Sequence, residues 1–455
     1  MGVESKQLPL KRAYNGVWKM SVIARWLLPA LLIAGCSPTQ VLPTQGNVGG
    51  AEDGSGSGKK NKSKAKGELA DDVENRAVGA SQAGGVALGP VAAPSAAEQL
   101  IAQDAAANPG ANIIYATLGH LAPDGQQNDK LAMVRMGMVK VLNSVSNRPE
   151  IVNLKAIDPG QTVYRIDMAA YNQAAAVGRL KSAEAASGNV STVGSATVVK
   201  GDWLVFALSR PEVYNPIMKF PALGKMFDAQ LGVDWSKAKY LNVSKSEVAF
   251  NGRVLARIPL QQAGKPGGYY WRSYDFVLPN VREKAFQDPT TVRTTQVNDF
   301  VAGEFFFSLP NGLQGYFLTG FGDQQRYDVP ADRRAGGISP QVASDYRRPQ
   351  DGLGQCVGGK APCGIVINGE SCMTCHAYGI NLPIESAGAN NATIAEMHDL
   401  VNQDRARFVS ALKEMGIEDN LKVEPILGTV NIFRADRNYE DKRKQASEVP
   451  FLGGN

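Results

Sequence analysis

Residues 368–380 read NGESCMTCHAYGI, and at their centre Cys372-Met373-Thr374-Cys375-His376 sets two thiols and an imidazole at fixed spacing. Cys-x-x-Cys-His is the attachment signature of a c-type haem. The chemistry needs that spacing. Two thiols about one turn apart add to the two vinyl groups on one porphyrin edge, and the adjacent histidine is held under the iron as proximal ligand. With 5 Cys and 3 His in 455 residues, chance supplies roughly 0.0004 matches to the pattern. Three other chemistries share some of these groups: a redox dithiol, a zinc site and a plain disulfide. A dithiol opens a helix after a strand, and the preceding GIVINGES, a short apolar run and then a turn, is ambiguous on that point. Zinc would recruit Cys356 and Cys363, but C-x6-C-x8-C-x2-C is looser than the usual knuckle spacing.

The compartment bears on this choice. Arg25 is followed by WLLPALLIAG and then Cys36, and Ile33-Ala34-Gly35-Cys36 has the form of a bacterial lipoprotein cleavage box. The apolar run is too short to span a bilayer as a mature helix. Lys6, Lys11, Arg12 and Lys19 lie in a long leader before it, and a start at Met20 would give a compact signal. The reading is a signal peptide over 1–36, with lipidation of Cys36 fixing the chain to a membrane surface. Ser37, by resemblance to lipoproteins of two-membrane bacteria, points to the outer membrane facing the periplasm. Such a compartment suits haem attachment and permits disulfides.

Residues 37–97 hold few large apolar side chains and are rich in Gly, Ser, Ala and Pro, with KKNKSKAK at 59–66. They read as a flexible tether. The lysines of that run are balanced by acidic residues on either side of it, most of the formal net charge of +5 falls in the leader instead, and nothing indicates a nucleic-acid partner.

The folded body reads as mixed α+β over 98–320. AAEQLIAQDAAA at 96–107 is amphipathic, and Leu131, Val134, Met138, Val141 and Leu142 recur at helical spacing behind Asp129 as N-cap. Met133, Met136 and Met138 read as core. IVNLKAI, TVYRIDM and ATVVKGDWLVFALS read as strands, with a Gly, Ala and Ser-rich insert before the last. Residues 211–233 read as helix broken at Pro216 and Pro221. Strands follow at VAFNGRVLARI and GGYYWRSYDFVL, and FFFSLP and LQGYFLT flank Asn311-Gly312, which signals a two-residue hairpin turn. A loop-like stretch from 320 to 371 carries Cys356 and Cys363, expected as a disulfide beside the cofactor. Beyond His376, residues 394–416 form one good helix with Gly416 as C-cap. The expected architecture is therefore an α+β body, a mainly α-helical cytochrome c-like haem region at 321–430, and a polar tail at 431–455.

YYWRSYDF at 269–276, EFFFSLPNGLQGYFLT at 304–319 and NGESCMTCHAYGI at 368–380, in that order, resemble an uncharacterised family of exported bacterial proteins with a single c-type haem site. LNSVSNRPEIVNLKAIDP at 142–159 is similar to upstream runs of that family. The likeness covers roughly residues 112–415, and SLPNGLQGY and SCMTCHAYGI are its most specific pieces. It implies one cooperative haem-bearing unit with no established reaction. The chain departs from the pattern in the Cys356–Cys363 loop and in the insert near residue 190.

The role of a haem depends on its second axial ligand: His/Met ligation suits electron transfer, whereas an open position admits small gases or peroxide. His120, in YATLGHLAPDG, matches a Thr-Leu-x-His-Leu segment of the resembling family and ranks first, ahead of Met397 and His398. The adjacent Met397 and His398 point about 100° apart on a helix, so at most one of them faces a haem. Arg272 and Arg165 are candidate partners of the haem propionates. The sequence holds no nucleophile–base–orienter set, no dinucleotide fingerprint and no phosphate loop. The expectation is a lipid-anchored monohaem c-type cytochrome in the cell envelope, bearing one covalent haem c and passing single electrons between redox partner proteins. The alternatives are a haem enzyme or a gas or redox sensor with an open axial site, a structural four-Cys lipoprotein, and an interaction lipoprotein.

Overall fold

The computed structural model describes residues 88–183, 188–243, 253–261, 267–276, 279–293, 300–326, 328–330, 365–381, 390–418, 421 and 423–435. The leader, Cys36, most of the tether, Cys356, Cys363 and residues 436–455 lie outside them. In chain order the elements are α1 (Pro94–Ala107), β1 (Ile113–Thr117), α2 (Asp129–Ser144), β2 (Lys155–Ala156), β3 (Val163–Asp167), α3 (Ala176–Ala183), β4 (Val190–Val193), β5 (Ala196–Lys200) and α4 (Gly201–Ser209). Then come α5 (Pro211–Ile217), α6 (Gly224–Gln230), β6 (Lys239–Val243), β7 (Arg253–Leu260), β8 (Gly268–Phe276), α7 (Pro279–Gln287), β9 (Phe300–Ser308) and β10 (Gln314–Thr319). The last are β11 (Asp328–Pro330), β12 (Ile365–Ile367), α8 (Glu370–Cys375), α9 (Ile394–Glu414) and α10 (Pro425–Ala435). The fold is α+β, and no helix among the described residues is long and apolar enough to cross a membrane.

Two five-stranded sheets organise the chain. The first has the order β2-β3-β1-β5-β4, with β1 and β5 parallel and the other pairs antiparallel. Ala97 and Ile101 of α1 cover one of its faces against Tyr115, Val163 and Val198, while Ile114, Ala116 and Val199 turn to the central core. The second sheet is an antiparallel meander, β10-β9-β8-β7-β6. Phe305, Phe307 and Phe317 on one face pack with Phe220 and Phe227, whereas Trp271, Phe306 and Tyr316 on the other face join the central core. That core also takes in Leu131, Val134, Met138, Val141 and Leu142 of α2, together with Cys372, Met373 and Met397. Residues before and after position 320 thus share one apolar interior.

Several local expectations are corrected. The run ATVVKGDWLVFALS is strand only to Lys200 and then becomes α4. Gly201–Val205 and Ala207–Ser209 are all buried, so the helix has almost no polar stripe to reveal a 3.6-residue period, and a continuous apolar run does not distinguish strand from helix. IVNLKAI pairs only at Lys155–Ala156. The backbone of Val152 is held instead by the buried Asn143 amide, which accepts from Val152 N at 2.9 Å and donates to Val152 O at 2.9 Å. The N-cap of α2 is Asn128, whose side chain accepts from Leu131 N, so Asp129 is the first helical residue. Pro216 lies inside α5 near its end, and the break runs from Met218 to Leu223. The β9–β10 hairpin has three loop residues, Pro310, Asn311 and Gly312, between Leu309 and Leu313. Gly312 donates to Leu309 O and sits at φ +94°, so Pro310 starts the turn and glycine supplies the left-handed position that closes it.

α9 forms as expected, and a capping box begins it: Thr393 Oγ1 accepts from Glu396 N, and Glu396 accepts from Thr393 N. At its end Ile417 N donates back to Leu412 O past Gly416, the six-to-one bond of a Schellman motif.

Candidate functional site

β12 delivers the chain to Asn368-Gly369, and α8 begins at once. Gly369 adopts φ +83°, and a Cβ there would stand 2.5 Å from Ser209 O and 3.0 Å from Tyr214 Cδ1. Only glycine meets both conditions, and the close approach seats α8 against the end of α4 and the start of α5. Glu370 opens the helix with 0 % exposure and is clamped by Arg210 Nη1 at 3.0 Å and Arg434 Nη2 at 2.7 Å. Both guanidiniums lie over the Phe206 ring, so one carboxylate ties α8 to α4 and α10.

Cys372 and Cys375, three residues apart on α8, are both thiols, and His376 is the C-cap residue. Cys372 is buried in the central core, while Cys375 is partly exposed with Asn381 Nδ2 3.9 Å from its sulfur. His376 Nδ1 lies 3.2 Å from Gly379 O. A carbonyl only accepts, so Nδ1 carries the proton and the Nε2 lone pair remains available. The residue is half-buried, and its imidazole packs against Phe306 and Tyr316. That burial pushes its pKa down to about 4, although the Glu304 charge acts in the opposite direction.

The second sheet supplies the floor. Its register aligns Arg257 with Trp271, Trp271 with Phe306, and Phe306 with Tyr316, giving one cross-strand row from β7 to β10. The His376 ring lies 4.5 Å from Phe306, tilted, and 5.9 Å from Tyr316, stacked, between centroids. At the other end of the row Asp404 of α9 accepts from Trp271 Nε1 at 2.7 Å and pairs with Arg257 at 2.9 Å. Burial raises the Asp404 carboxyl above its usual range despite the neighbouring arginines. On the same face Arg253 bridges Asp275 and Glu304, each at 2.9 Å. Lys140, buried on α2, donates to Ala377 O at 3.2 Å and pairs with Glu424 at 2.7 Å, pinning the residue after His376 from a second direction. The Asp404 and Lys140 supports were not legible before folding, because they join segments more than 130 residues apart.

The remaining ligand candidates are not brought to His376. His120 Nε2 is 2.9 Å from Asp202 Oδ1 in the first turn of α4, whereas Gly369 abuts Ser209 at the opposite end of that helix. About 10 Å of helix rise separates the two ends, so His120 lies at the end of α4 away from Gly369. On α9, Arg405 and Phe408 are the residues against Gly379; Met397 precedes Arg405 by about 12 Å of rise and His398 by about 10 Å. Met397 is fully buried in the central core, and His398 is half-buried. Neither propionate candidate is spare. Arg272 is held by Asp228 and Asp323, and Arg165 by Asp104. Among the described residues no group of three or more His, Cys, Asp and Glu side chains is arranged to hold a metal ion.

The donor set fits a covalently attached haem: two thiols on one short helix, followed by a neutral imidazole whose outer nitrogen is spare. Comparison with protein-family models, with curated proteins and with solved structures gives no match to this chain.

Proposed function

We propose that Cys372 and Cys375 attach one haem c through thioether bonds, that His376 ligates its iron through Nε2, and that the protein carries single electrons in the cell envelope. The observation that carries this reading is the 3.2 Å contact of His376 Nδ1 with Gly379 O, in which the ring nitrogen donates and Nε2 is left as the ligating nitrogen. When bound, the haem supplies a one-electron iron couple whose potential follows its ligands and surroundings. The chain's own residues do the rest. Gly379 fixes the tautomer, Phe306 and Tyr316 flank the ring, Glu370 anchors α8 and Lys140 holds the backbone at Ala377. The resemblance to exported single-haem proteins belongs to the same proposal, as do lipidation at Cys36, attachment to the outer membrane facing the periplasm, and exchange with redox partner proteins.

A second reading is favoured by the settings of His120 on Asp202 and of Met397 and His398 along α9: if none of them served as a second ligand, a haem held by His376 would admit a small exogenous ligand, as in a haem sensor or enzyme. Visible spectra of the full chain, expressed with a haem-maturation system, test both. Sharp reduced bands that survive denaturation and are lost in Cys372→Ala/Cys375→Ala are expected. Carbon monoxide binding to the reduced protein at neutral pH selects the open site, and resistance to it selects electron transfer. Absence of covalent haem overturns the proposal and leaves the dithiol and four-Cys structural readings.

A further inference from the structure

Four arginines of β7 and α9 lie around the His376 side of the second sheet, and three of them are engaged. Arg253 bridges Asp275 and Glu304, Arg257 pairs with Asp404, and Arg407 donates to Leu309 O at 2.9 Å. The fourth is Arg405. Its Cγ lies 3.5 Å from the point where a Cβ on Gly379 would stand, so its stem runs along the residue whose carbonyl holds His376. Among the described residues no carboxylate or carbonyl accepts from its guanidinium. The side chain is half-buried, and burial depresses its pKa with no acidic neighbour among the described residues to offset it, while its charge reaches His376. A partly desolvated cation is ordinarily paired, because the lost hydration has to be replaced. The guanidinium also presents a rigid fork of donors matched to a carboxylate.

We propose that Arg405 is the cationic partner of a haem propionate at the His376 site, an inference that rests on the haem reading. The sequence candidates Arg272 and Arg165 already pair with their own acids. A positive charge held beside the haem favours the reduced iron, which carries one positive charge fewer, and neutralises the propionate that would otherwise favour the oxidised state.

The test compares the full chain as wild type, Arg405→Gln and Arg405→Lys, each expressed with a haem-maturation system. Covalent haem is first counted by mass. The midpoint potential is then read by spectroelectrochemistry, and the propionate bending band by resonance Raman. Arg405→Gln is expected to move the one-electron equilibrium about tenfold toward the oxidised form, a fall of about 59 mV, and to shift the propionate band, while Arg405→Lys keeps most of the wild-type potential. Wild-type potential and band in Arg405→Gln overturn the assignment. Loss of haem from Arg405→Gln but not from Arg405→Lys supports it through attachment. Loss from both variants, with an unchanged far-ultraviolet spectrum, shows a steric role and overturns it. A wild type without covalent haem overturns the cytochrome reading itself, a result distinct from all of these.

Discussion

Replacing Glu370 by Gln isolates the charge that fixes α8. The carboxylate has 0 % exposure and faces Arg210 and Arg434, whose side chains are 20 % and 15 % exposed. Glutamine keeps the shape and one acceptor but removes the buried charge that Arg210 and Arg434 share, leaving Arg210 with the more distant, exposed Glu212 at 3.7 Å. Removing one partner of a buried ion pair costs about 3–5 kcal/mol. Residual solvent at both arginines puts this site near the lower end, at ~3 kcal/mol. For a body larger than 150 residues, 1 kcal/mol moves Tm by about 2–4 °C, so a fall of roughly 6–12 °C follows. The assay is thermal unfolding followed by circular dichroism, with the thiol reactivity of Cys375 measured in parallel as a probe of α8 itself. Glu370→Gln should expose that thiol faster at temperatures below the main transition. A variant that melts within 1 °C of wild type would refute the clamp, because a fully buried, doubly paired carboxylate cannot be removed without a measurable effect.

Two further outcomes follow from local geometry. Gly369→Ala places a methyl group 2.5 Å from Ser209 O at φ +83°, and strain of about 1–2 kcal/mol from the left-handed backbone adds to an overpacking cost of about 1–3 kcal/mol. Its denaturant midpoint should drop accordingly, and an unchanged midpoint would mean that α8 does not seat on α4. In the capping box of α9, hydrogen bonds from Thr393 backbone and hydroxyl hold the Glu396 carboxyl below its usual range. A depressed carboxyl stabilises above the unfolded pKa near 4.5, and that contribution is lost as pH falls through the folded value. Carboxyl titration by NMR should find Glu396 below 4.5 and Thr393→Ala should raise it; equal values in the two proteins would exclude the box.

The periodic parts of the fold were legible in the sequence. α2 and α9 announce themselves through apolar stripes, and β7 to β10 through aromatic and β-branched runs with a glycine-bearing turn. α4 was not, because a helix buried on nearly every side has no polar face to set its period. The motif itself could be read directly, since its meaning lies in spacing along the chain. Its supports could not. Asp404, Lys140, Arg434 and Arg405 look like ordinary helix-surface charges until the fold turns them onto α8 or the face beneath it. Arg272 and Arg165 err in the opposite direction, because nothing local reveals that Asp228, Asp323 and Asp104 claim them. His120 likewise carries a persuasive local context, yet Asp202, 82 positions later, takes its ring.

The burial of Cys372 imposes a timetable. Its residue is 8 % exposed, and the helix that carries it is closed in by α10 through Arg434, while α10 rests on α2 through the Met133–Thr429 bond, a separation of 296 positions. Such closure waits for residues far along the chain, and its long loop makes it slow. A reagent or enzyme acting on that sulfur therefore works during an interval that opens when residue 372 emerges and shuts when residues 425–435 dock. Folding and modification compete for the same thiol, and the lag of α10 decides which arrives first.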